Sequence, residues 1–243
     1  MQIEYSIATE KSNSRSHNED AATFAANQDG IIFAALCDGM GGHCNGEIAS
    51  QLSLEYLKEE FLKARKNDFK NIERWINIAI NKVHKRLENY GQTHPETQDM
   101  GTTLVGCLIF SEMTYIFNIG DSRAYFINDV FVKQLTEDQN LENYAKTKKI
   151  ELDLILDVNS QALVSALGPK KEYVVDLYRI TNQPGYFLLC SDGFYNFISE
   201  TSLIATAMRP TTTKEKTNEL ITYVQNRTND NATILMIALK EDK

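Results

Sequence analysis

The chain lacks the features that mark several large protein classes. Its longest unbroken apolar run, Ile31 to Cys37, falls far short of the roughly 20 residues that span a bilayer. The opening Met1-Gln2-Ile3-Glu4 is acidic where a secretory leader is basic and then apolar, so no leader is expected. With 12 glycines and 4 prolines among 243 residues, linkers and disordered tracts are not expected either. Basic charge is in deficit, 25 Lys and Arg against 33 Asp and Glu, for a net charge of -8. An acidic surface repels phosphate backbones and disfavours nucleic acid as a partner. The four cysteines, Cys37, Cys44, Cys107 and Cys190, form no C-x-x-C pair, and none is followed six residues later by Arg. Zinc knuckles, dithiol redox sites and phosphocysteine loops are thereby excluded. Reduced and mostly buried thiols are expected instead. The G-x-x-x-x-G-K-[ST], H-R-D, H-E-x-x-H and G-x-S-x-G signatures are also missing, which removes kinase, ATPase, zincin and serine hydrolase readings. What remains is a soluble, cytoplasmic protein without a membrane partner, with residues 1–243 forming a single domain.

Along the chain, short strand-like runs alternate with turn signals. Ile3 to Ile7, Ala21 to Ala26 and Ile31 to Cys37 read as strands, the last two flanking the turn-like Asn27-Gln28-Asp29-Gly30. Two helices follow. In the second, Ile72, Trp75, Ile76, Ala79, Ile80, Val83, Leu87 and Tyr90 form one apolar stripe. Gly91 is placed to end that helix, and Gln92 to Asp99 reads as a polar loop. Thr102 to Phe110, Met113 to Ile119, Arg123 to Ile127 and Val130 to Leu135 have the spacing of an antiparallel meander. A helical excursion over Glu137 to Asn159 precedes strands at Tyr173 to Ile180 and Tyr186 to Cys190. Helices at about Thr201 to Met208 and Thr213 to Asn226 lead to a last strand, Ala232 to Leu239. The class is α+β, antiparallel strands whose faces long amphipathic helices must cover.

The chemistry lies in where the aspartates fall. Asp20, Asp38, Asp121, Asp192 and Asp230 each stand at the edge of a strand-like run beside a turn residue. Taken singly, each is explained by turn chemistry. Five together suggest strand ends converging on one edge, where carboxylates repel unless protonated or neutralised by cations. All-oxygen ligands select hard cations such as Mg²⁺ or Mn²⁺. The glycines after Asp38 allow a close approach, so a backbone carbonyl there could join the ligands. Arg15 lies five residues before Asp20. A guanidinium beside cations makes sense when phosphate sits between them, and a surface arginine in a polar loop explains the segment equally well.

Eight segments then carry a family resemblance. In order, they are Arg15-Ser16-His17-Asn18-Glu19-Asp20, Asp38 to His43 with Gly46 to Ser50, Gly101-Thr102-Thr103, Gly120-Asp121-Ser122-Arg123, Leu135-Thr136-Glu137-Asp138, Ala166-Leu167-Gly168, Cys190-Ser191-Asp192-Gly193 and Asp230-Asn231-Ala232-Thr233. Their sequence and order resemble those of the protein phosphatase 2C family, particularly its compact bacterial members, from about Arg15 to Leu239.

The resemblance implies two packed antiparallel β-sheets flanked by α-helices, a four-layer α-β-β-α sandwich. It implies two tightly held Mn²⁺ or Mg²⁺ ions and a third, weaker one. Asp38 would bridge the two tight ions, Asp192 and Asp230 would complete one, and the Gly39 carbonyl would contact the other. Glu19 and Asp20 would bind or orient metal-bound water, Arg15 would clamp phosphate, and Asp121 with Asp192 would hold the third ion. The implied reaction is hydrolysis of phosphoserine and phosphothreonine in proteins by a water bridging the two metals, without a covalent intermediate. The implied partners are phosphorylated protein substrates and the serine/threonine kinase that makes them, with the phosphatase a monomer.

Some relatives carry His where this chain has Met40, a candidate acid for the leaving group. Gln139-Asn140 and Ser165 replace the usual His-Ser and Arg at the borders of the segment matching a flap, about 140–165. A non-catalytic phosphoprotein-binding module is the competing reading. Loss of a metal-ligand aspartate would mark it, and none is lost.

Overall fold

The computed structural model describes residues 1–42, 45–149 and 159–241. The chain enters through strands β1 (Gln2–Glu10), β2 (Asp20–Ala26) and β3 (Ile32–Met40), then helices α1 (Asn45–Lys63) and α2 (Ile72–Thr93). Strands β4 (Gly101–Thr102), β5 (Leu104–Ile109), β6 (Met113–Ile119), β7 (Arg123–Ile127) and β8 (Val132–Gln134) follow. Helix α3 (Leu141–Lys148), β9 (Asp176–Thr181), β10 (Gly185–Cys190), α4 (Asp192–Tyr195), α5 (Glu200–Ala207), α6 (Thr213–Gln225) and β11 (Ala232–Lys240) complete it.

The strands form two antiparallel sheets, β2-β3-β5-β6-β9 with β4 beside β3, and β1-β11-β10-β7-β8. Period-two alternation builds three apolar layers from these strands. On β3, Phe33, Ala35 and Cys37 pack under α1 and α2 with Leu57, Phe61, Ile76, Ile80 and Leu87. Ile32, Ala34 and Leu36 point the other way, into a layer shared with Phe126, Phe187, Leu189, Leu235 and Ile237 of the second sheet. The outer face of that sheet, with Leu188, Ile234 and Met236, is covered by Leu203 of α5 and by Leu220 and Val224 of α6. The result is the four-layer α-β-β-α sandwich. Strands β3, β10 and β11 are covered on both faces, which is why they read as continuous apolar runs. Among the described residues, no helix is long and apolar enough to cross a membrane.

The α2 stripe is buried as its spacing predicts, with Ile76, Ala79, Ile80, Val83 and Leu87 at 2% exposure or less. Gly91 does not end the helix. It lies buried inside the last turn, where a Cβ would stand 2.6 Å from Pro169 Cγ, so its smallness serves packing and the cap falls at His94. The expected loop after it holds a short 3₁₀ turn at Pro95–Thr97. The run from Thr102 to Phe110 breaks at Thr103, whose N–H leaves the ladder to donate to the Asp38 carbonyl. The expected meander is also divided. Strands β5 and β6 pair in one sheet and β7 and β8 in the other, because the chain changes sheets through Gly120-Asp121-Ser122. Cys37, Cys107 and Cys190 are buried free thiols, while Cys44 and His43 lie outside the described residues. Of the helical excursion expected over Glu137 to Asn159, only Leu141–Lys148 is helix among the described residues, ending at Lys149 in the left-handed region, and residues 150–158 also lie outside them.

Gly91 offers a direct test of this packing. Alanine in a helix is favoured over glycine by about 1 kcal/mol, but overpacking a filled site costs about 1–3 kcal/mol. Gly91→Ala should therefore lower the urea midpoint. A raised midpoint would show that the Pro169 loop yields freely.

Candidate active site

The inter-sheet layer turns polar at one end. Asp20 opens β2 and faces Asp38 directly across the β2–β3 ladder. Asp38 is not beyond the strand but within it, continuing the face of Ile32, Ala34 and Leu36. Opposite them, Ser191 follows Phe187 and Leu189, and Thr233 precedes Leu235, each keeping the period of its strand. Ser191 Oγ donates to Asp20 Oδ2 at 2.7 Å and accepts from Thr233 N at 3.0 Å. The Thr9 and Thr233 hydroxyls lie 2.6 Å apart. A row of hydroxyls thus closes the apolar interior and carries the buried carboxylate.

Each further candidate is delivered by a distinct local device. Asp38 N–H donates to Thr103 Oγ1 at 2.9 Å, and its carbonyl accepts from Thr102 Oγ1 at 3.0 Å. Gly39 admits no side chain, since a Cβ there would meet the Gly46 carbonyl oxygen at 2.1 Å, and this close approach seats the start of α1 beside Glu19. Asp192 begins α4 immediately after β10. A Cβ on Gly193 would lie 2.0 Å from the Asn231 carbonyl oxygen, so α4 packs against the Asp230-Asn231 turn and brings Asp192 and Asp230 together. Asp121 sits between Gly120, at φ +95°, and Ser122, whose Oγ lies 2.7 Å from Thr103 Oγ1. Asn231 fastens the Arg15 loop, accepting from Ser12 N at 3.3 Å and donating to the His17 carbonyl at 3.1 Å. Arg15 Nη2 donates to Asp230 Oδ2 at 2.5 Å.

Arg15, Glu19, Asp38, Gly39, Asp121, Asp192 and Asp230 all line one cleft of about 280 Å³. Asp20 does not line it, lying behind the floor on its Ser191 bond. Gln161 and Leu163 also line the cleft, and the sequence reading did not single them out. They arrive on the return of the segment after α3, which pairs with its own start through the Asn140–Leu163 bridge. The supporting hydroxyls of Thr103, Ser122, Ser191 and Thr233 fall within segments that carry the resemblance, but no role of their own is assigned to them there. Thr233 carries a signal of its own, a hydroxyl at the inward position of the otherwise apolar β11, whereas Thr103, Ser122 and Ser191 lie just outside their strands.

The electrostatics are those of crowded, desolvated acids. Burial, then the charges of Asp192 and Asp230, raises Asp20 to about 7 against the bonds from Ser191 and Thr233. Burial and then the charge of Asp192 raise Asp121 to about 7. Asp38 is pushed well above the carboxylate range by burial, then by Asp20, Asp192, Asp121 and Asp230. Asp192 is raised by burial and then by Asp230, and Glu19 is raised mainly by burial. Glu19 Oε1 is buried with no hydrogen-bond partner. Among the described residues, no three His, Cys, Asp or Glu side chains converge tightly enough to hold an ion unaided. The orphaned Glu19 oxygen and the excess of carboxylates over Arg15 fit hard cations that complete their shells with carbonyl and water oxygen.

These shifts fix a sign. The unfolded aspartates release protons near 3.8, whereas folded Asp20 and Asp121 hold theirs to about 7. Between those values the folded state binds more protons, so stability without divalent ions falls as pH rises toward and through 7. Melting in EDTA at pH 5 and pH 8 should give the lower Tm at pH 8. Asp38→Asn should raise the pH 8 value, each kcal/mol relieved adding roughly 2–4 °C. An Asp38→Asn protein melting below wild type in EDTA at pH 8 would contradict this.

Comparison with known proteins agrees with this geometry. The sequence model of the family described as Protein phosphatase 2C matches residues 8–235. The serine/threonine phosphatase stp of Listeria monocytogenes serotype 4b is 31% identical over 234 residues, covering 94% of this chain and 93% of its own. A putative protein phosphatase of Mycoplasma pneumoniae is 30% identical over 239 residues, covering 93% and 92%. Among solved structures, a bacterial serine phosphatase superposes with a TM-score of 0.87 at 29% identity over 100% of both chains. Serine/threonine phosphatase Stp1 from Staphylococcus aureus gives 0.87 at 29% identity, covering 99% of this chain and 96% of that one. With the family match spanning nearly the whole chain, the protein belongs to the protein phosphatase 2C family.

Proposed function

We propose that the protein is a metal-dependent serine/threonine phosphatase that hydrolyses phosphoserine and phosphothreonine in protein substrates. The observation carrying this reading is the convergence of Arg15, Glu19, Asp38, Asp121, Asp192 and Asp230 on one small cleft. Relatives named serine/threonine phosphatase, at about 30% identity over most of the chain, support it.

In this reading, Asp38, Asp192, Asp230 and the Gly39 carbonyl would hold the two tight ions. Glu19 and the recessed Asp20 would orient water beside them, and Asp121 with Asp192 would serve a third, weaker ion. When bound, Mn²⁺ or Mg²⁺ lowers the pKa of coordinated water and neutralises charge on the phosphoryl oxygens. Arg15 orients the phosphate with its planar fork, exchanging its Asp230 contact for the substrate. The described cleft lining contains no cysteine or histidine, which suits direct hydrolysis. Met40 lines the cleft but has no proton to give, so the leaving oxygen takes its proton from water.

The segment about 140–165 borders the cleft through Gln161 and Leu163 and acts as a substrate-handling flap on one catalytic domain. In this reading the protein acts as a monomer. In the same reading the substrates are products of a serine/threonine kinase, and the activity belongs to cytoplasmic signalling.

Hydrolysis of p-nitrophenyl phosphate and of a phosphothreonine peptide, with Mn²⁺ and with EDTA, tests the reading. Activity should require Mn²⁺ and vanish in Asp192→Asn while the fold persists. Arg15→Ala should lower kcat/KM by about 10- to 100-fold, the worth of a hydrogen bond to a charged group, without weakening Mn²⁺ binding. Phosphopeptide binding without turnover would favour a non-catalytic module.

A further inference from the structure

We infer that Arg123 is a positioning residue that ties the stem of the flap to the candidate ligands Asp121 and Asp192. The inference rests on the metal-site reading above, and it comes from contacts that reading does not use.

Arg123 opens β7 two residues after Asp121 and touches three separate parts of the molecule. Its Nε donates to Asp138 Oδ1 at 2.9 Å and its Nη2 to Asp138 Oδ2 at 2.6 Å, a two-pronged ion pair. Its Nη1 donates to the Tyr125 hydroxyl at 3.2 Å. The guanidinium carbon stands 3.6 Å from the centre of the Tyr195 ring. Tyr195 is the last residue of α4, the single turn that Asp192 begins. Asp138 leads into the flap, and its carbonyl accepts from Asn143 Nδ2 of α3 at 2.9 Å. One side chain thereby spans the strand that follows Asp121, the helix that Asp192 begins and the base of the flap.

The flap stem also holds the loop from its other end. Gln139 N–H donates to the Gly120 carbonyl at 3.0 Å, and Gly120 N–H donates to Gln139 Oε1 at 2.9 Å. Residues on both sides of Asp121 are therefore held by Asp138 and Gln139, while Arg123 braces α4 against the same stem. α4 is a single turn, too short to fix the Asp192 side chain by itself.

Stability alone does not account for such a pair. The side chains of Arg123 and Asp138 are 25% and 9% exposed, and an ion pair removed from water gains little net free energy over an apolar one. What the planar fork and the stacked ring provide is fixed orientation. Residues that hold metal ligands in place typically alter metal affinity by 10- to 100-fold when changed.

The test compares wild type with Arg123→Lys, which keeps the charge but loses the fork and the stacking, with Asp138→Asn, and with the double variant. Mn²⁺ binding is measured by calorimetry, melting temperature in EDTA, and kcat and KM on p-nitrophenyl phosphate across Mn²⁺ concentrations. Each single variant should bind Mn²⁺ about 10-fold more weakly. Its kcat should fall at low Mn²⁺ and recover at high Mn²⁺, with KM for the phosphate ester unchanged. The double variant should be no worse than the single ones, because both break one unit. If Arg123→Lys does not fold, Tyr195→Leu, which leaves the ion pair intact, carries the same expectation. Variants that melt earlier but retain wild-type Mn²⁺ affinity and kinetics would overturn the inference. A wild-type protein that binds no Mn²⁺ would overturn the metal-site reading and this inference with it.

Discussion

Asp20 and Asp38 face one another across two antiparallel strands, where the space between the sheets stops being apolar. Like charges directly opposite in a ladder destabilise it, and these two are further crowded by Asp192 and Asp230. Much of the surrounding structure answers that repulsion. Ser191 and Thr233 put hydroxyls where their strands would otherwise place Leu or Ile. Thr102 and Thr103 hold Asp38 by its backbone, leaving its carboxyl to the cleft. The three-layer apolar packing makes the arrangement rigid enough to persist, since close-packed interiors do not relax around one unfavourable pair.

The same arrangement sets function against stability. Carboxylates that repel one another destabilise the empty fold at neutral pH, and the cations that would relieve them are those a phosphoryl-transfer site needs. Arg15 partly offsets the excess by pairing with Asp230. That pair is exposed, with side-chain accessibilities of 45% and 37%, so it contributes little and is free to exchange partners with an incoming phosphate.

Much of this was readable from the residues, for identifiable reasons. Apolar stripes and runs report burial directly, so α2, β3, β10 and β11 stand where their patterns place them. Turn chemistry marks chain reversals, which located the aspartates at one edge of the strands. Periodicity does not report partners. It could not show that β6 and β7 belong to different sheets, nor that Gly91 is small because Pro169 packs on it and not because the helix stops there. It put Asp38 beyond its strand, because a polar residue breaks an apolar run even where the backbone ladder continues. Gln161 and Leu163 lie within the segment about 140–165 that resembles a flap, but which of its residues enter the cleft depends on the Asn140–Leu163 bridge, and no local pattern records that pairing.

The central claim is that a crowded carboxylate cluster, still partly protonated near neutral pH, exists to be neutralised by divalent ions. Calorimetric titration with Mn²⁺ at pH 6, in two buffers of different ionisation enthalpy, counts the protons released on binding. The account predicts net proton release at pH 6, from groups such as Asp20 and Asp121 held near 7, fading as the pH is raised to 8. Mn²⁺ binding with no proton release at pH 6 would show that the carboxylates are already ionised, and would contradict it.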